Sequence, residues 1–166
     1  GWLDLLLGFF VYGPDWECGF VGEDYRCDWS VPPEQEAPRL LRNEMGKAFV
    51  VVPQALESGG GRSIWSMAAF DWDGDGALDL YASVDFGGNA LWRNTGSGFE
   101  DVLPALGAAP YNHAMGHAIG DFDGDGLWDI YVADLGPDQF WFGRDGGFDD
   151  RAAELGVADA TRLTAS

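Results

Sequence analysis

The sequence has few basic residues and no apolar segment long enough to cross a membrane. Nine Lys and Arg stand against 28 Asp and Glu, so the formal net charge is −19. A surface of that sign disfavours binding to nucleic acid and to anionic lipid. The most apolar run, residues 5–12, is far shorter than the about 20 residues of a transmembrane helix. We therefore expect no nucleic-acid partner and no membrane span.

Signals for targeting and for familiar catalytic chemistry are also missing. The chain starts with Gly and has no basic n-region, so no signal peptide is visible and we expect an excerpt of a longer protein. Nucleophile-elbow, phosphate-loop and dinucleotide motifs are absent. Paired carboxylates could mimic glycosidase chemistry, but carboxylates packed within one turn suit ion coordination better. We therefore predict no catalytic residues and no enzymatic activity in this chain.

The composition is that of a globular domain with many turns. Hydrophobic residues make up 46 % of the 166 residues, aromatic residues 14 %, and Gly occurs 25 times. This content is too apolar for a disordered tail, and the length suffices for one domain with a core.

Two short acidic loops organise the sequence. Residues 71–79, the first acidic loop, read Asp-Trp-Asp-Gly-Asp-Gly-Ala-Leu-Asp, and residues 121–129, the second acidic loop, read Asp-Phe-Asp-Gly-Asp-Gly-Leu-Trp-Asp. Carboxylates at positions 1, 3, 5 and 9, with the backbone carbonyl at position 7, can surround Ca²⁺, which takes six to eight oxygen ligands. The Gly at position 6 allows the sharp turn that such a loop needs. The duplicated pattern predicts two calcium sites.

Two other interpretations of the acidic loops are disfavoured. Solvated turns without metal would hold four carboxylates that repel one another. An EF-hand, or a helical dockerin-type module, needs helical flanks, and an EF-hand needs Glu at position 12, where this sequence has Ala82 and Val132. The flanking residues are β-branched and aromatic, so we expect each loop to join two strands in a hairpin.

The acidic loops belong to a repeat of about 50 residues, a length typical of a propeller blade. Asp71 aligns with Asp121, and Trp92 aligns with Trp141. In each unit the sequence predicts a strand, the acidic loop, a second strand, a turn, a third strand and a short fourth strand. The predicted units are roughly 1–61, 62–110 and 111–160, with the start of a further unit at 161–166.

The first unit differs from the other two. Residues 1–5 match the end of an acidic loop, so Asp4 is a position-9 carboxylate whose partners are missing, and we expect little Ca²⁺ binding there. The unit is lengthened by an insertion at 13–38, which is rich in Pro and is interpreted as an extended surface loop. Cys18 and Cys27 lie in it and predict a disulfide in an oxidising compartment, with two free thiols as the alternative. Two Cys without a nearby His disfavour zinc.

The histidines and tryptophans have ordinary structural interpretations. His113 and His117 are spaced so that both could reach one metal, but no third ligand lies at a suitable spacing. We interpret them as loop and edge residues. The Trp residues recur at matched places in the units, which favours packing between sheets over an aromatic sugar-binding platform.

Together these motifs resemble the FG-GAP/VCBS repeat, and more narrowly the integrin-alpha-like repeats of bacterial relatives of cartilage acidic protein. The stretches that carry the resemblance are residues 70–81, 89–96, 99–102, 115–116, 119–123 and 153–157. The resemblance implies an all-β fold of β-propeller blades, with about three four-stranded antiparallel repeats that form part of a larger propeller. The whole chain, 1–166, would be one fragment of such a repeat domain.

The resemblance also implies the metal ligands and the setting. It implies Ca²⁺ held in hairpin loops of a secreted or cell-surface protein that acts in cell adhesion or in contacts with protein or glycan. Carried over by position, the ligands are the carboxylates of Asp71, Asp73, Asp75, Asp79, Asp121, Asp123, Asp125 and Asp129 and the carbonyls of Ala77 and Leu127.

The leading functional hypothesis is a non-enzymatic, calcium-binding β-propeller segment outside the cell, which presents loops to a protein or glycan partner. The rival hypothesis is an accessory propeller region of a secreted polysaccharide-active enzyme, with catalysis elsewhere in a longer chain. In both, the ion neutralises the carboxylates and fixes the hairpins. The full-length sequence would discriminate between them.

Overall fold

The computed structural model describes residues 3–8, 37–53, 56, 63–108 and 113–158, and the backbone of 17–21 and 24–28. Within these ranges the regular elements are strands and one short 3-10 helix, Leu103–Leu106. In chain order the strands are β1 (Leu5–Leu7), β2 (Glu17–Val21), β3 (Asp24–Asp28), β4 (Arg39–Asn43), β5 (Phe49–Val52), β6 (Ser63–Phe70), β7 (Asp79–Asp85), β8 (Ala90–Asn94), β9 (Phe99–Asp101), β10 (Ala114–Gly120), β11 (Asp129–Asp134), β12 (Gln139–Arg144) and β13 (Gly147–Asp150). No helix in this part of the chain has the length and apolar character needed to cross a membrane.

The described strands form three small antiparallel sheets and a separate hairpin. Sheet 1 has the order β1-β4-β5, sheet 2 the order β6-β7-β8-β9 and sheet 3 the order β10-β11-β12-β13. In sheets 2 and 3 each strand pairs with the next along the chain, as in the blades of a propeller. The prediction of an all-β fold built from blade-like antiparallel sheets is confirmed.

Sheets 2 and 3 repeat even their irregularities. β6 shifts register against β7 between Ile64 and Ser66, and β10 shifts against β11 between Ala114 and Gly116. A bulge at the same place bends the first strand of both sheets in the same way. The ends of the repeat units stay predictions, and residues 161–166, where a further unit was expected to start, lie outside the described residues.

The insertion contains regular structure that the sequence analysis missed. Residues 13–38 were expected to be an extended surface loop, but β2 and β3 form an antiparallel hairpin within them. The register places Cys18 directly opposite Cys27. The prolines of the insertion lie outside these two strands, so none of them removes a backbone donor from the ladder. The loop interpretation was therefore wrong for the middle of the insertion.

Sheet 2 is buried on both faces, and the hydrophobic core consists of the two clusters that lie on either side of it. β7 is buried along its whole length. Leu80 and Ala82 belong to a cluster packed against sheet 1, whereas Tyr81 belongs to a cluster with Ile130 and Val132 of sheet 3. Successive residues of one strand thus serve two interfaces, as the alternation of side chains across a sheet requires.

The predicted packing role of the tryptophans holds for the matched pair in the third strands. Trp92 in β8 is 0 % exposed and Trp141 in β12 is 1 % exposed. Trp92 packs in the cluster between sheets 1 and 2, and Trp141 in the cluster between sheets 2 and 3. Each ring fills the space between its own sheet and the preceding one, which confirms the core-packing interpretation.

The Asp at position 9 ties each acidic loop to the third strand of its sheet. In sheet 2, the Asp79 carboxylate accepts hydrogen bonds from the backbone N–H of Asn94 at 2.7 Å and of Trp72 at 2.8 Å. Asp129 in sheet 3 accepts from Gly143 at 2.9 Å and from Phe122 at 2.7 Å. Both carboxylates are 0 % exposed.

Sheet 1 contains the same bond. Asp4 accepts a hydrogen bond from the backbone N–H of Asn43 in β4 at 2.8 Å, and the Asn43 amide donates back to the Leu3 carbonyl at 2.9 Å. The position-9 carboxylate therefore links the second and third strands of sheets 2 and 3, and it makes the same link between β1 and β4 of sheet 1. Its first role is structural and does not depend on a metal.

Both histidines link sheets 2 and 3. His117 lies in β10, an edge strand of sheet 3, with its Nδ1 atom 3.1 Å from the Ser66 hydroxyl and 2.8 Å from the Ser83 hydroxyl. His113 places its Nδ1 atom 3.0 Å from a carboxylate oxygen of the buried Asp85. The predicted edge position of His117 is confirmed, but the inter-sheet contacts were not anticipated. Burial lowers the pKa of His117.

The position-9 bonds predict a stability loss that persists without calcium. Asp79→Ala leaves two partly buried amides without acceptors and should lower the free energy of unfolding by about 2–4 kcal/mol in excess chelator. Urea unfolding measures it. Asp75→Ala, at an exposed position of the same loop, is the matched control and should cost clearly less, because the one amide that it frees is exposed to water and a repelling charge is removed. Equal losses in the two variants would contradict this role.

The environment of His117 predicts a pH dependence. A His whose pKa is lowered by folding contributes stability fully above its ordinary pKa of about 6.5, and this contribution is lost as the pH falls through the lowered value. Between pH 7.5 and pH 5, the melting temperature of the wild type should fall further than that of His117→Gln, which can still accept a hydrogen bond from Ser66 or Ser83. Parallel pH profiles for the two proteins would rule out this contribution.

Candidate metal centre

Both acidic loops connect antiparallel strands, as the sequence predicted. Phe70 pairs with Asp79 at the end of the β6–β7 ladder, and Gly120 pairs with Asp129 at the end of the β10–β11 ladder. The residue before position 1 thus lies across the ladder from position 9. The hairpin brings the first and last carboxylates of each loop together, although seven residues lie between them in sequence.

Two glycines in each loop adopt backbone angles that other residues rarely adopt. Gly74 and Gly76 have φ of +74° and +87°, and Gly124 and Gly126 have φ of +79° and +90°. An added Cβ would meet nothing within 4 Å at any of these positions, so the left-handed conformation, and not lack of space, favours Gly. The sequence argument used only position 6. Position 4 has the same requirement.

Three carboxylates converge in each loop. Asp71, Asp73 and Asp79 each offer an oxygen, and these oxygens lie within 4.8 Å of one another. Oxygens bound to a single Ca²⁺ are at most about 5 Å apart, twice the usual bond length of about 2.3–2.6 Å. The second loop forms an equivalent group from Asp121, Asp123 and Asp129. Positions 1, 3 and 9 are thus arranged as one cation would require.

The carboxylates at position 5 are not members of these two groups. Asp75 accepts a hydrogen bond from the backbone N–H of Ala77 at 2.7 Å, and Asp125 accepts one from Leu127 at 2.8 Å. These bonds shape the turn, as Asp side chains commonly do. The ligand roles of Asp75 and Asp125, and of the Ala77 and Leu127 carbonyls, stay predictions.

The first acidic loop holds a buried oxygen that a cation would satisfy. Asp71 Oδ2 accepts a hydrogen bond from the backbone N–H of Gly76 at 3.0 Å, but Asp71 Oδ1 is buried without a hydrogen-bond partner. A buried carboxylate oxygen without a donor is costly. Among the described residues, no Lys, Arg or His forms an ion pair with this loop. The all-oxygen donor set suits Ca²⁺ and is a poor match for Zn²⁺.

More of the carboxylate oxygens in the second acidic loop have hydrogen-bond or ion-pair partners. Asp121 accepts hydrogen bonds through both oxygens, from the backbone N–H of Gly124 at 2.7 Å and of Gly126 at 3.0 Å. The Arg151 guanidinium lies 3.5 Å from a carboxylate oxygen of Asp123. The two loops therefore share a geometry but differ in their surroundings, which the repeat pattern alone did not indicate.

Asp4 belongs to no convergent carboxylate group in the part of the chain that the structure describes. Its hydrogen bond to Asn43 places it where Asp79 and Asp129 lie in their own sheets. Neither His113 nor His117 contributes to the two Asp groups. The candidate metal residues are thus confined to the two acidic loops within the described ranges.

Comparison with known proteins identifies the repeat. No curated protein matches the chain. The family model of the FG-GAP-like repeat matches residues 80–132, which run from β7 through β8, β9 and β10, across the second acidic loop and into β11. The chain therefore carries an FG-GAP-like repeat over residues 80–132.

Proposed function

We propose that this chain is a non-enzymatic, Ca²⁺-binding β-propeller segment of a secreted or cell-surface protein and that it mediates adhesion or binding to a protein or glycan. The observation that carries the proposal is the convergence of three carboxylates in each acidic loop. The buried Asp71 Oδ1, which lacks a hydrogen-bond donor, adds support. The FG-GAP-like repeat over residues 80–132 fits the same function.

The proposed role of the ion is structural. Two bound Ca²⁺ would change the formal net charge from −19 to about −15, by the addition of four positive charges. Each ion would offset the repulsion within one loop and hold the ends of its hairpin together. Because an unfolded chain has no preformed site, binding free energy would add to the free energy of unfolding.

The proposed binding surface lies at the acidic loops. Large apolar side chains are exposed there beside the carboxylates: Leu78 at 58 %, Phe122 at 52 % and Leu127 at 43 %. Apolar side chains among hydrogen-bonding groups can contact either a protein or the apolar face of a sugar. Binding of the full chain to arrays of glycans and of extracellular proteins tests this. Hydrolysis of an arrayed polysaccharide would instead favour an enzymatic role.

The calcium proposal predicts a stoichiometry of two. Calorimetric titration of metal-stripped protein should give two Ca²⁺ for the wild type and one for Asp125→Ala. Asp4→Ala should still bind two, because Asp4 has no convergent partner carboxylates among the described residues. Chelation should lower the melting temperature of the wild type more than that of Asp125→Ala, which has one site fewer to lose.

Three results would contradict these ligand assignments. They are a stoichiometry of zero, a loss of binding in Asp4→Ala as large as that in Asp125→Ala, and equal effects of chelator on the wild type and Asp125→Ala. A strong preference for Zn²⁺ over Ca²⁺ would also contradict the all-oxygen donor set.

The proposed extracellular location predicts a disulfide in the insertion. Residues opposite each other in an antiparallel ladder have Cα atoms about 4.5–5.5 Å apart, within the range of about 4.4–6.8 Å that disulfides span. Cys18 and Cys27 occupy such a pair. Mass spectrometry of secreted protein without reduction should find one internal bridge. Two alkylatable thiols in protein made by a secretory route would refute the prediction.

A further inference from the structure

The two acidic loops contact each other through one side chain. Trp128, at position 8 of the second acidic loop, donates a hydrogen bond from its indole Nε1–H to the backbone carbonyl of Asp71 at 2.6 Å. The same ring packs edge-on against Phe70, with ring centroids 5.6 Å apart. Asp71 is position 1 of the first acidic loop and bears the buried carboxylate oxygen without a partner.

The residue at position 8 of the first acidic loop cannot make an equivalent hydrogen bond to a neighbouring loop. Its position-8 residue is Leu78, which is 58 % exposed and has no donor on its side chain. The loop also touches sheet 3 through Trp72, whose ring lies 6.4 Å from that of Phe148. The hydrogen bond between the loops is therefore made by the second loop and received by the first.

Gly143 allows Trp128 to take this place. A Cβ at Gly143 would lie 2.6 Å from the Trp128 carbonyl and 3.0 Å from the Leu127 Cβ, so any other residue would push this part of the loop away. At the equivalent position of sheets 1 and 2 the chain has Asn43 and Asn94. The third sheet thus departs from the repeat where the Trp128 backbone approaches β12.

We infer that Trp128 is a positioning residue for the first acidic loop and makes Ca²⁺ binding at the two loops positively cooperative. The inference rests on the proposed calcium function. Leu127 and Asp129, which flank Trp128, both belong to the proposed ligand set of the second loop. Occupation of that loop therefore restricts the backbone on each side of Trp128 and stabilises its hydrogen bond to Asp71.

The hydrogen bond passes this restriction to the first loop. When Trp128 holds the Asp71 carbonyl and the Phe70 ring in place, the Asp71 carboxylate loses less conformational entropy on binding an ion. The first loop should bind more tightly when the second is filled, and by linkage the second should bind more tightly when the first is filled. Couplings of this kind usually change affinity by about 5-fold or more.

An NMR titration of the full chain with Ca²⁺ can resolve the two sites. The backbone N–H groups of Gly76 and Gly126 each donate to the position-1 carboxylate of their own loop, both at 3.0 Å, and so report the occupancy of one loop each. Trp128→Phe keeps an aromatic ring beside Phe70 but removes the donor. Leu78→Ala is the matched control at position 8 of the first loop, and it should leave both affinities within twofold of wild type.

The expected result is non-additive. Trp128→Phe should weaken binding at the first loop about 5-fold or more, and so should Asp125→Ala, which disables the second loop. In the Asp125→Ala background, Trp128→Phe should have little further effect on the Ca²⁺ affinity of the first loop. The second loop is then no longer filled, so Trp128 has no effect of its occupation to pass on. Melting temperatures in chelator, equal within a few degrees for Trp128→Phe and Leu78→Ala, would show that both variants fold.

Two results would overturn the inference alone while leaving the calcium function in place. One is an unchanged affinity at the first loop in Trp128→Phe, and the other is the same loss whether or not the second loop can be filled. If the wild type binds no Ca²⁺ at either loop, the proposed function fails and the inference fails with it.

Discussion

The buried carboxylate at position 9 is the group on which the rest of the structure depends. Asp79 and Asp129 are wholly removed from solvent, and each receives two backbone N–H groups, one from the start of its own acidic loop and one from the third strand. Burial of a charge is costly unless hydrogen bonds compensate, and bonds to a charged acceptor are stronger than neutral ones. One side chain thereby sets the loop closure and the register of the sheet.

The convergence of the other carboxylates follows from this anchor. Because position 9 lies across the ladder from the end of the preceding strand, the loop must return over a short distance, and Gly at positions 4 and 6 supplies the left-handed turns. The carboxylates at positions 1 and 3 are then carried against position 9. The loop accumulates like charge because of its path, and three carboxylates in each loop come close enough together to hold a cation.

Much of this could be predicted from sequence because it depends on local pattern. The hairpins, the blade-like sheets and the paired acidic loops follow from residue type and a repeated spacing, and Trp92 and Trp141 follow from their matched positions in two buried strands. The sequence analysis singled out Asp79 and Asp129 only as ligands, and the structure shows that both also bind backbone N–H groups of their own sheets. Their hydrogen bonds to residues fourteen or fifteen positions further along the chain could not be predicted, because they depend on how the second and third strands pair.

The features that were missed depend on contacts between units. His117 was interpreted as an edge residue, but packing of sheet 3 on sheet 2 brings it against Ser66 and Ser83, more than thirty residues away in sequence. The bond from Trp128 to Asp71 joins residues 57 positions apart. No periodicity within one repeat encodes such pairs. The β2–β3 hairpin was missed for a local reason, since the prolines on either side of it suggested a loop.

The described part of the chain is a series of similar sheets. The hydrophobic core lies between neighbouring sheets, and clusters of carboxylates lie in the loops of sheets 2 and 3. The acidic loops lie at the same end of neighbouring sheets, which is why one loop can touch the next. Stability, the proposed metal binding and the exposed apolar surface of the loops would consequently be linked through a few residues. A change at one acidic loop should be felt at its neighbour as well as in its own sheet.

The most direct test of the central claim is a crystal structure of the protein grown with Ca²⁺, with anomalous scattering measured at a wavelength where calcium contributes. The account predicts one anomalous peak in each acidic loop, with oxygens of the position-1, position-3 and position-9 carboxylates at about 2.3–2.6 Å. Well-ordered loops without such peaks, or peaks bound by other residues, would contradict it.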